Sequence, residues 1–438
     1  MKSGKDVRKE ILDLVRELYG IEHAPKKFVP GESKVHYAGR VYDADEMTSF
    51  VDSALDFWLT MGKHSVAFEK ELAKKVGVKH AALTNSGSSA NLLAVSALTS
   101  PQLKGRIKPG DEAITPAATF PTTFNPLLQN GIVPAVIDSE LGTYNIRAED
   151  LEGALSKKTK LIMMPHTLGN PCEMDAITDF AKDHNLFVIE DSCDALDSKY
   201  AGKMCGSFGT FGTFSFYAAH HINLGEGGAV ATNDDALIRI VRSFREWGRA
   251  CHCPPGEMAA LGACGNRFNF DCGGIPYDHR YMYSHIGYNL KLLDPQAAMG
   301  LAQLKKLPRF TAARKKNFTF LYNAMQEFEK YFILPQSLPK AEPSWFAFPL
   351  TIKEGAPFTR KDLLTFLESR KIETRLLFAG NILRHPAYKD AKVRVAGTLQ
   401  NADTIMKHSF FLGVYPGLTQ EHLTYVADTM KEFIRKKT

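Results

Sequence analysis

Alternating strand-like and helix-like segments predict an α/β fold built on a mainly parallel sheet. Three observations carry this. Short apolar runs recur from residue 80 to about 190. Helix-like stretches of roughly 10–15 residues separate them, as in βαβ units. The first run is followed at once by a small-residue turn, Ser86-Gly87-Ser88-Ser89, which opens a helix.

The elements follow in order. Val7, Ile11, Leu12, Val15 and Leu18 fall near helical spacing and predict an amphipathic helix over 5–20. A second helix is expected over 44–60, with a turn-rich piece between, so that residues 1–60 form an N-terminal arm. Residues 68–76 are helical in pattern and 80–84 read as a strand. Further strands are expected at 113–114, 133–137, 161–164 and 186–189. Residues 250–290 break the rhythm with Cys, Gly, Pro and aromatics and read as a long irregular loop, a kind that is usually functional or disordered. A long helix over 294–329 then closes a large domain of residues 61–330. Residues 331–438 have their own strand (346–352) and helices (359–370, 419–435), and read as a smaller C-terminal α+β domain.

Composition narrows the class. Of 438 residues, 44% are hydrophobic and 23% charged, values of an ordinary globular protein. The net charge of +6 suits anionic small molecules, and no basic tract calls for nucleic acid. The charged N-terminus lacks an apolar signal core, and no apolar run approaches the ~18 residues of a membrane span. A cytoplasmic address is expected. Seven cysteines (172, 193, 205, 251, 253, 264, 272) in a reducing compartment argue against a disulfide framework and leave metal binding or burial.

Several segments carry chemistry. The turn at 86–89 would offer free N–H groups and a helix dipole to a phosphate, or is plain punctuation. Asp191 ends an apolar strand, where it would pair with a protonated ring nitrogen or cap a helix. Cys193, Cys251, Cys253 and Cys264 are separated by 57, one and ten residues. This lacks the paired knuckles of zinc sites. Scattered spacing is compatible with a thiolate-ligated iron–sulfur cluster, though from spacing alone simple burial is the stronger reading.

Taken together, Ser86-Gly87-Ser88-Ser89, Thr119-Phe120, Glu190-Asp191, Ser215-Phe216 through Gly228, and Gly287-Tyr288-Asn289 resemble the DegT/DnrJ/EryC1/StrS family of nucleotide-sugar aminotransferases and dehydratases. The resemblance runs from about residue 45 to the C-terminus. It implies a fold-type-I, aspartate aminotransferase-like pyridoxal-phosphate enzyme. Gly87, Ser88, Ser89 and Ser215 would hold the cofactor phosphate, Asp191 would meet the pyridine nitrogen, and Phe120 would stack on the ring. Asn289 would reach the phosphate of the other subunit, which implies a homodimer.

The departures from the family pattern are as informative. Common members read Ser-Phe-His-x-x-Lys, whereas this chain reads Ser215-Phe216-Tyr217-Ala218-Ala219-His220. The lysine that would anchor the cofactor is replaced by histidine, the side chain best suited to proton transfer near neutral pH. The resemblance then implies use of the free amine, pyridoxamine 5'-phosphate, with His220 as base and dehydration in place of amine transfer. His221 reads as packing or polar support. Asp194 and Tyr217 also depart from the usual aminotransferase residues and would tune the cofactor ring.

The histidine-for-lysine branch of the family includes iron–sulfur 3-dehydrases of CDP-4-keto-6-deoxyglucose. Their pattern is one cysteine after a Glu-Asp-Ser strand, a long gap, then C-x-C and a further cysteine before a Gly-x-Arg-Phe element. Cys193, Cys251, Cys253 and Cys264, followed by Gly265-Asn266-Arg267-Phe268, match it. This implies a 2Fe-2S cluster, with Cys272 competing for the fourth place because the last gap is long; Cys172 and Cys205 read as structural. The expected activity is dehydration and deoxygenation at C-3 of a nucleotide 4-keto-6-deoxyhexose, with CDP inferred from resemblance. It would serve 3,6-dideoxysugar synthesis for lipopolysaccharide O-antigen. Electrons would come from an NAD(P)H-dependent flavin or iron–sulfur reductase. The alternatives are a cluster-free GDP-sugar 3-dehydratase, a sugar aminotransferase, and a non-catalytic regulator on the same fold.

Overall fold

Seven strands supply most of a sheet that runs through the larger part of the protein. They are β1 (His80–Thr84), β2 (Glu112–Pro116), β3 (Val133–Ile137), β4 (Thr159–Pro165), β5 (Phe187–Asp191), β6 (Phe211–Ser215) and β7 (Gly228–Thr232). The computed structural model describes residues 1–251 and 267–437. Every residue of β2, β3, β6 and β7 is buried. Such continuous apolar runs belong to strands covered on both faces. The expected strands are all present. β6 and β7 lie in the stretch read above only as a motif.

A smaller sheet contains β8 (Phe332–Ile333), β9 (Ala347–Ile352) and β10 (Arg375–Leu376). The chain then gives one short strand, β11 (Arg394–Val395), back to the large sheet before β12 (Ser409–Gly413) completes the small one. The large-sheet order is β1-β7-β6-β5-β4-β2-β3-β11. All its pairs are parallel except those of β7, which is antiparallel to both neighbours. The small sheet, in the order β8-β9-β12-β10, is antiparallel throughout. Arg394 secures the stray strand by donating to Glu112 at 2.6 Å and to the Ala154 carbonyl at 2.6 Å.

The helices that place the site are α1 (Gly4–Leu18), α2 (Ala44–Leu55), α3 (Lys63–Val76), α4 (Gly87–Leu98), α5 (Pro121–Gln129), α6 (Met174–Asp183), α7 (Asp235–Arg245) and the 32-residue α8 (Asp294–Met325). Helix α2 stops five residues short of the expected 60. Phe57 takes φ +54° and the Trp58 indole donates to the Met61 carbonyl, which turns the chain. No residue of α1 is buried; Arg8 ties it to α2 through Asp52 at 2.6 Å and Asp56 at 2.7 Å. Beyond α2, Asp294 at the start of α8 accepts from the backbone of Gly62 and Ser65, both at 2.8 Å. At its far end Asn317 donates to the carbonyls of Val414 and Tyr415 in the small half. One helix therefore registers both halves. The arm also laces across them: Val35 bridges Ile372, and Lys34 and His36 both reach Glu373. The irregular region contains a short hairpin, Phe270–Asp271 against Pro276–Tyr277.

A buried ion cluster joins α3, β1 and α7. Arg245 is fully buried and donates to Glu69 at 2.9 Å, to the Leu83 carbonyl at 2.8 Å and to Glu246 at 3.0 Å. Removing one member of a buried pair strands the other charge. Arg245→Met is therefore expected to lower stability by about 3–5 kcal/mol in urea denaturation. A loss under ~1 kcal/mol, the scale of a surface pair, would show that the cluster does not hold these elements together.

Candidate active site

The C-terminal ends of β2, β4, β5 and β6 open into a cavity of about 440 Å³. Ligands in open α/β sheets collect at this edge, where strands release their chains into loops. The cavity takes walls from the loops of the large sheet, from the N-terminal segment (Tyr37), and from the small sheet and the segments beside it (Phe346, Arg375, Phe378).

At one end stands the start of α4. Ser86 caps it, accepting from the Ser89 amide at 3.0 Å, while its hydroxyl meets the Ser89 hydroxyl at 3.0 Å. The first-turn N–H groups of Gly87 and Ser88 have no helical acceptor. Gly87 is required by contact: a Cβ there would lie 2.5 Å from the Ser215 Cβ and 2.8 Å from the Cys193 Sγ. Ser88 and Ser215 line the cavity. Ser89 instead serves the cap. The concave end, with free amides, two hydroxyls and a helix dipole, has the donor set of a phosphate site.

Asp191 projects into the cavity and is 6% exposed. It accepts from the Asn91 amide and the Thr123 hydroxyl, both at 2.7 Å, and from the Cys193 backbone at 3.2 Å. Thr213 in turn donates to Asn91 at 2.6 Å. These donors orient the carboxylate, and neither Asn91 nor Thr123 is among the residues the sequence motifs single out. The available signal was Asn91, a buried amide among the apolar residues that follow the serine turn of α4.

Glu190, the preceding residue, points the other way, as strand alternation demands. It is fully buried and accepts from the backbones of Gly206, Phe208 and Gly209, each at 2.7 Å. Its fourth partner is His166 Nε2 at 3.0 Å. Because His166 Nδ1 accepts from the Cys172 amide, the proton resides on Nε2 and is donated to Glu190.

His220 lies in the cavity wall with its Nδ1 3.2 Å from Asp194. The separation is that of an ion pair, while the alignment falls short of a hydrogen bond. Catalytic contacts are often this loose before substrate arrives. Asp194 thus meets the histidine, a more specific place than the ring-tuning role expected of it. Tyr217 is half exposed and edge-on to His220, with ring centroids 6.3 Å apart. Phe120, also half exposed, packs edge-on against Phe378 at 5.7 Å. His221 is buried and donates through Nε2 to the Ser344 carbonyl at 2.6 Å. Burial, and next the charge of Arg314, push its pKa well below the ordinary histidine value.

The remaining expected residues divide. Cys193 lines the cavity, where burial, then Asp191 and Asp194, push its thiol pKa well up. Cys251 is half-buried at the end of the described segment, and Cys253 and Cys264 lie outside the described residues. Among the described residues no three His, Cys, Asp or Glu side chains converge on a metal-sized point. Cys172 and Cys205 are buried, and Cys272 is exposed. Asn289 does not line this cavity; it is exposed and accepts from Lys291 at 2.8 Å. Arg375 is the only lysine or arginine among the described lining residues, with its guanidinium 4.1 Å from the Tyr37 ring centroid. Neither had a signal in the sequence. No helix among the described residues is long and apolar enough to cross a membrane.

Comparison with known proteins agrees with this geometry. Residues 41–431 match the model of the DegT/DnrJ/EryC1/StrS aminotransferase family. The chain is 49% identical to the lipopolysaccharide biosynthesis protein RfbH of Salmonella typhimurium, over 98% of this chain and 99% of that one. It is 46% identical to a dTDP-4-dehydro-2,6-dideoxy-D-glucose 3-dehydratase of Saccharopolyspora spinosa, over 99% and 93%. The solved structure of E. coli GDP-4-keto-6-deoxy-D-mannose-3-dehydratase with bound hydrated PLP superposes with a TM-score of 0.81 at 30% identity, covering 91% of this chain and all of that one. The expected fold-type-I architecture is borne out.

The buried neutral His221 makes stability depend on pH. The unfolded chain gains a proton there as pH falls below about 6.5, which the folded protein refuses. Stability is thus whole above that value and declines below it, by up to about 1.4 kcal/mol per pH unit. Urea unfolding at about pH 7.5 and 5.5 should show this decline, reduced in His221→Asn. An equal decline in both proteins would contradict the assignment.

Proposed function

The chain belongs to the DegT/DnrJ/EryC1/StrS aminotransferase family, and from that premise we propose that it dehydrates a nucleotide-linked 4-keto-6-deoxyhexose at C-3 with pyridoxamine 5'-phosphate. One observation carries this reading. His220 stands where the family's anchoring lysine would be, within 3.2 Å of a carboxylate, in a cavity with a phosphate cradle at one end and a buried aspartate in its wall.

The residues present fit the cofactor. Gly87 leaves the space a Cβ would fill, and the amides of Gly87 and Ser88 with the Ser215 hydroxyl form an anion cradle. Asp191, held by Asn91 and Thr123, suits a protonated pyridine nitrogen. When bound, pyridoxamine phosphate supplies an amine that condenses with a sugar ketone and a ring that withdraws electrons from the attached carbons. Phe120 would cover one face of that ring. Asp194 faces His220 Nδ1 and so leaves Nε2 to move the proton. Arg375, braced on Tyr37 at the cavity mouth, would meet the anionic nucleotide diphosphate. The RfbH and dTDP-sugar 3-dehydratase relatives support sugar modification of this class.

The finer reading adds a 2Fe-2S cluster on Cys193, Cys251, Cys253 and Cys264, a CDP-sugar substrate and an NAD(P)H-linked reductase. It is supported by the cysteine pattern and by Cys193 standing in the cavity wall. Its half-buried thiol beside two carboxylates would favour the thiolate only once a metal compensates the charge. A second copy of the chain would bring its Asn289 to the cradle, and the exposed Phe57, Trp58 and Leu59 offer apolar surface for that contact.

Two experiments test this. His220→Asn should slow exchange of the cofactor's methylene hydrogens with solvent by about 10²–10⁴-fold, the usual worth of a positioned acid–base group. Exchange at the native rate would remove His220 from the proton transfer. Protein purified without oxygen should hold iron and acid-labile sulfide in equal amounts and absorb in the visible. If both are absent, the cluster reading falls and the cluster-free dehydratase takes its place.

A further inference from the structure

Among the described residues two arginines are fully enclosed, and they are satisfied in opposite ways. Arg245 sits among carboxylates, with Glu69 and Glu246 within 3.0 Å. Arg314, on α8 and 1% exposed, has no carboxylate within ion-pair distance among the described residues. Its guanidinium is spent on main-chain carbonyls: Trp345 at 3.3 Å and Phe346 at 3.1 Å from Nη1, and His220 at 3.3 Å from Nη2. Its Nε has no partner. Burial lowers its pKa to about 10, against the more distant attraction of Asp194. An enclosed cation without a counter-charge is costly, so its role should lie in what it holds.

What it holds is the histidine. Residues 344–346 lead into β9 of the small sheet, and they grip the 220–221 turn at three points. The ring of Phe346 lies 5.4 Å from the His220 imidazole. The Ser344 carbonyl accepts a hydrogen bond from His221 Nε2 at 2.6 Å. Arg314 bridges the His220 carbonyl to the carbonyls of Trp345 and Phe346, with its guanidinium 6.0 Å from the Phe346 ring. A planar fork of fixed N–H groups can span carbonyls on two separate segments, which an ammonium or a neutral amide of that reach cannot match.

Resting on the reading of His220 as the proton-moving group, we infer that Arg314 is a positioning residue: it locks the main chain at His220 and the Phe346 wall into one unit, and so sets the imidazole against Asp194 and the cavity. Displacing such a group by about 1 Å can cost on the order of 10²-fold in rate without touching the chemistry itself.

The test uses the full chain with Arg314→Met, Arg314→Lys and His220→Asn. Two readouts are taken. One is the rate and facial selectivity of methylene hydrogen exchange on bound pyridoxamine phosphate, set against the cofactor's dissociation constant. The other is the imidazole Cε1–H resonance of His220 in cofactor-free protein, assigned by its loss in His220→Asn. Arg314→Met should lower exchange by about 10²-fold and erode its facial selectivity, with cofactor affinity nearly unchanged and the resonance shifted. Arg314→Lys should recover part of each. Native exchange with an unshifted resonance in Arg314→Met overturns the inference. So does a loss that merely follows the unfolded fraction. Native exchange in His220→Asn would instead defeat the assignment of His220, whatever Arg314 does. Should Arg314→Met fail to fold, Arg314→Lys and Phe346→Leu carry the test: reduced selectivity in both supports the inference, and native selectivity in both overturns it.

Discussion

The pair of carboxylates at the end of β5 is the constraint on which the site rests. Strand alternation sends Glu190 and Asp191 to opposite sides of one short segment. Glu190 is sealed in the interior, where three backbone amides and His166 consume its acceptor capacity. That cage fixes the loop at 206–209 and the turn after β4. Asp191 is thereby held at a fixed height in the cavity, where Asn91 and Thr123 set its rotation. A buried carboxylate is tolerable only with its lone pairs satisfied. Here that satisfaction also organises the neighbouring loops, so a stability requirement and a binding geometry are met by the same residues.

The second organising feature is the way separate parts of the chain converge on one wall. β5 and β6 deliver Asp191, Cys193, Asp194 and Ser215, while the α4 start delivers Gly87 and Ser88. The small half contributes Phe346 and Arg375, and the arm contributes Tyr37. Helix α8 registers the two halves through Asp294 at one end and Asn317 at the other. The His220 turn sits where these parts meet. With a lysine the position would carry a covalent anchor; with histidine it carries, in the proposed function, a proton-transfer group whose worth depends on where the ring is placed. This is why the contacts of residues 344–346 with 220–221 matter to the proposed chemistry.

Much of the fold was legible because burial on both faces imposes continuous apolar runs. β1, β3, β4 and β5 stand where those runs predicted them, and α8 begins at the expected Asp294. β6 and β7 were hidden inside a stretch whose Gly, Ser and aromatic residues read as a motif. The end of α2 was misjudged because its buried positions are the polar Glu46, Thr48 and Ser53, so no apolar pattern marks where it stops. The return of Arg394 and Val395 to the large sheet had no local sign, since two residues on a sheet edge make no pattern.

The same division holds for the site. The sequence alone raised the glycine–serine turn, Asp191 and the spaced cysteines as candidates, and its resemblance to the family added Ser215 and the histidine in place of lysine, because each depends on residue type at a local position. It could not show that Asp194 faces His220, that Asn91 and Thr123 hold Asp191, or that Tyr37 braces Arg375 at the cavity mouth. Nor could it show that Arg314, 94 residues from His220, bonds its carbonyl. Those relations join residues far apart in the chain. They exist only once a parallel sheet gathers its strand ends along one edge and a long helix fixes the small sheet against them. Chemical identity is a local property of the chain, whereas distance and orientation are produced by its packing.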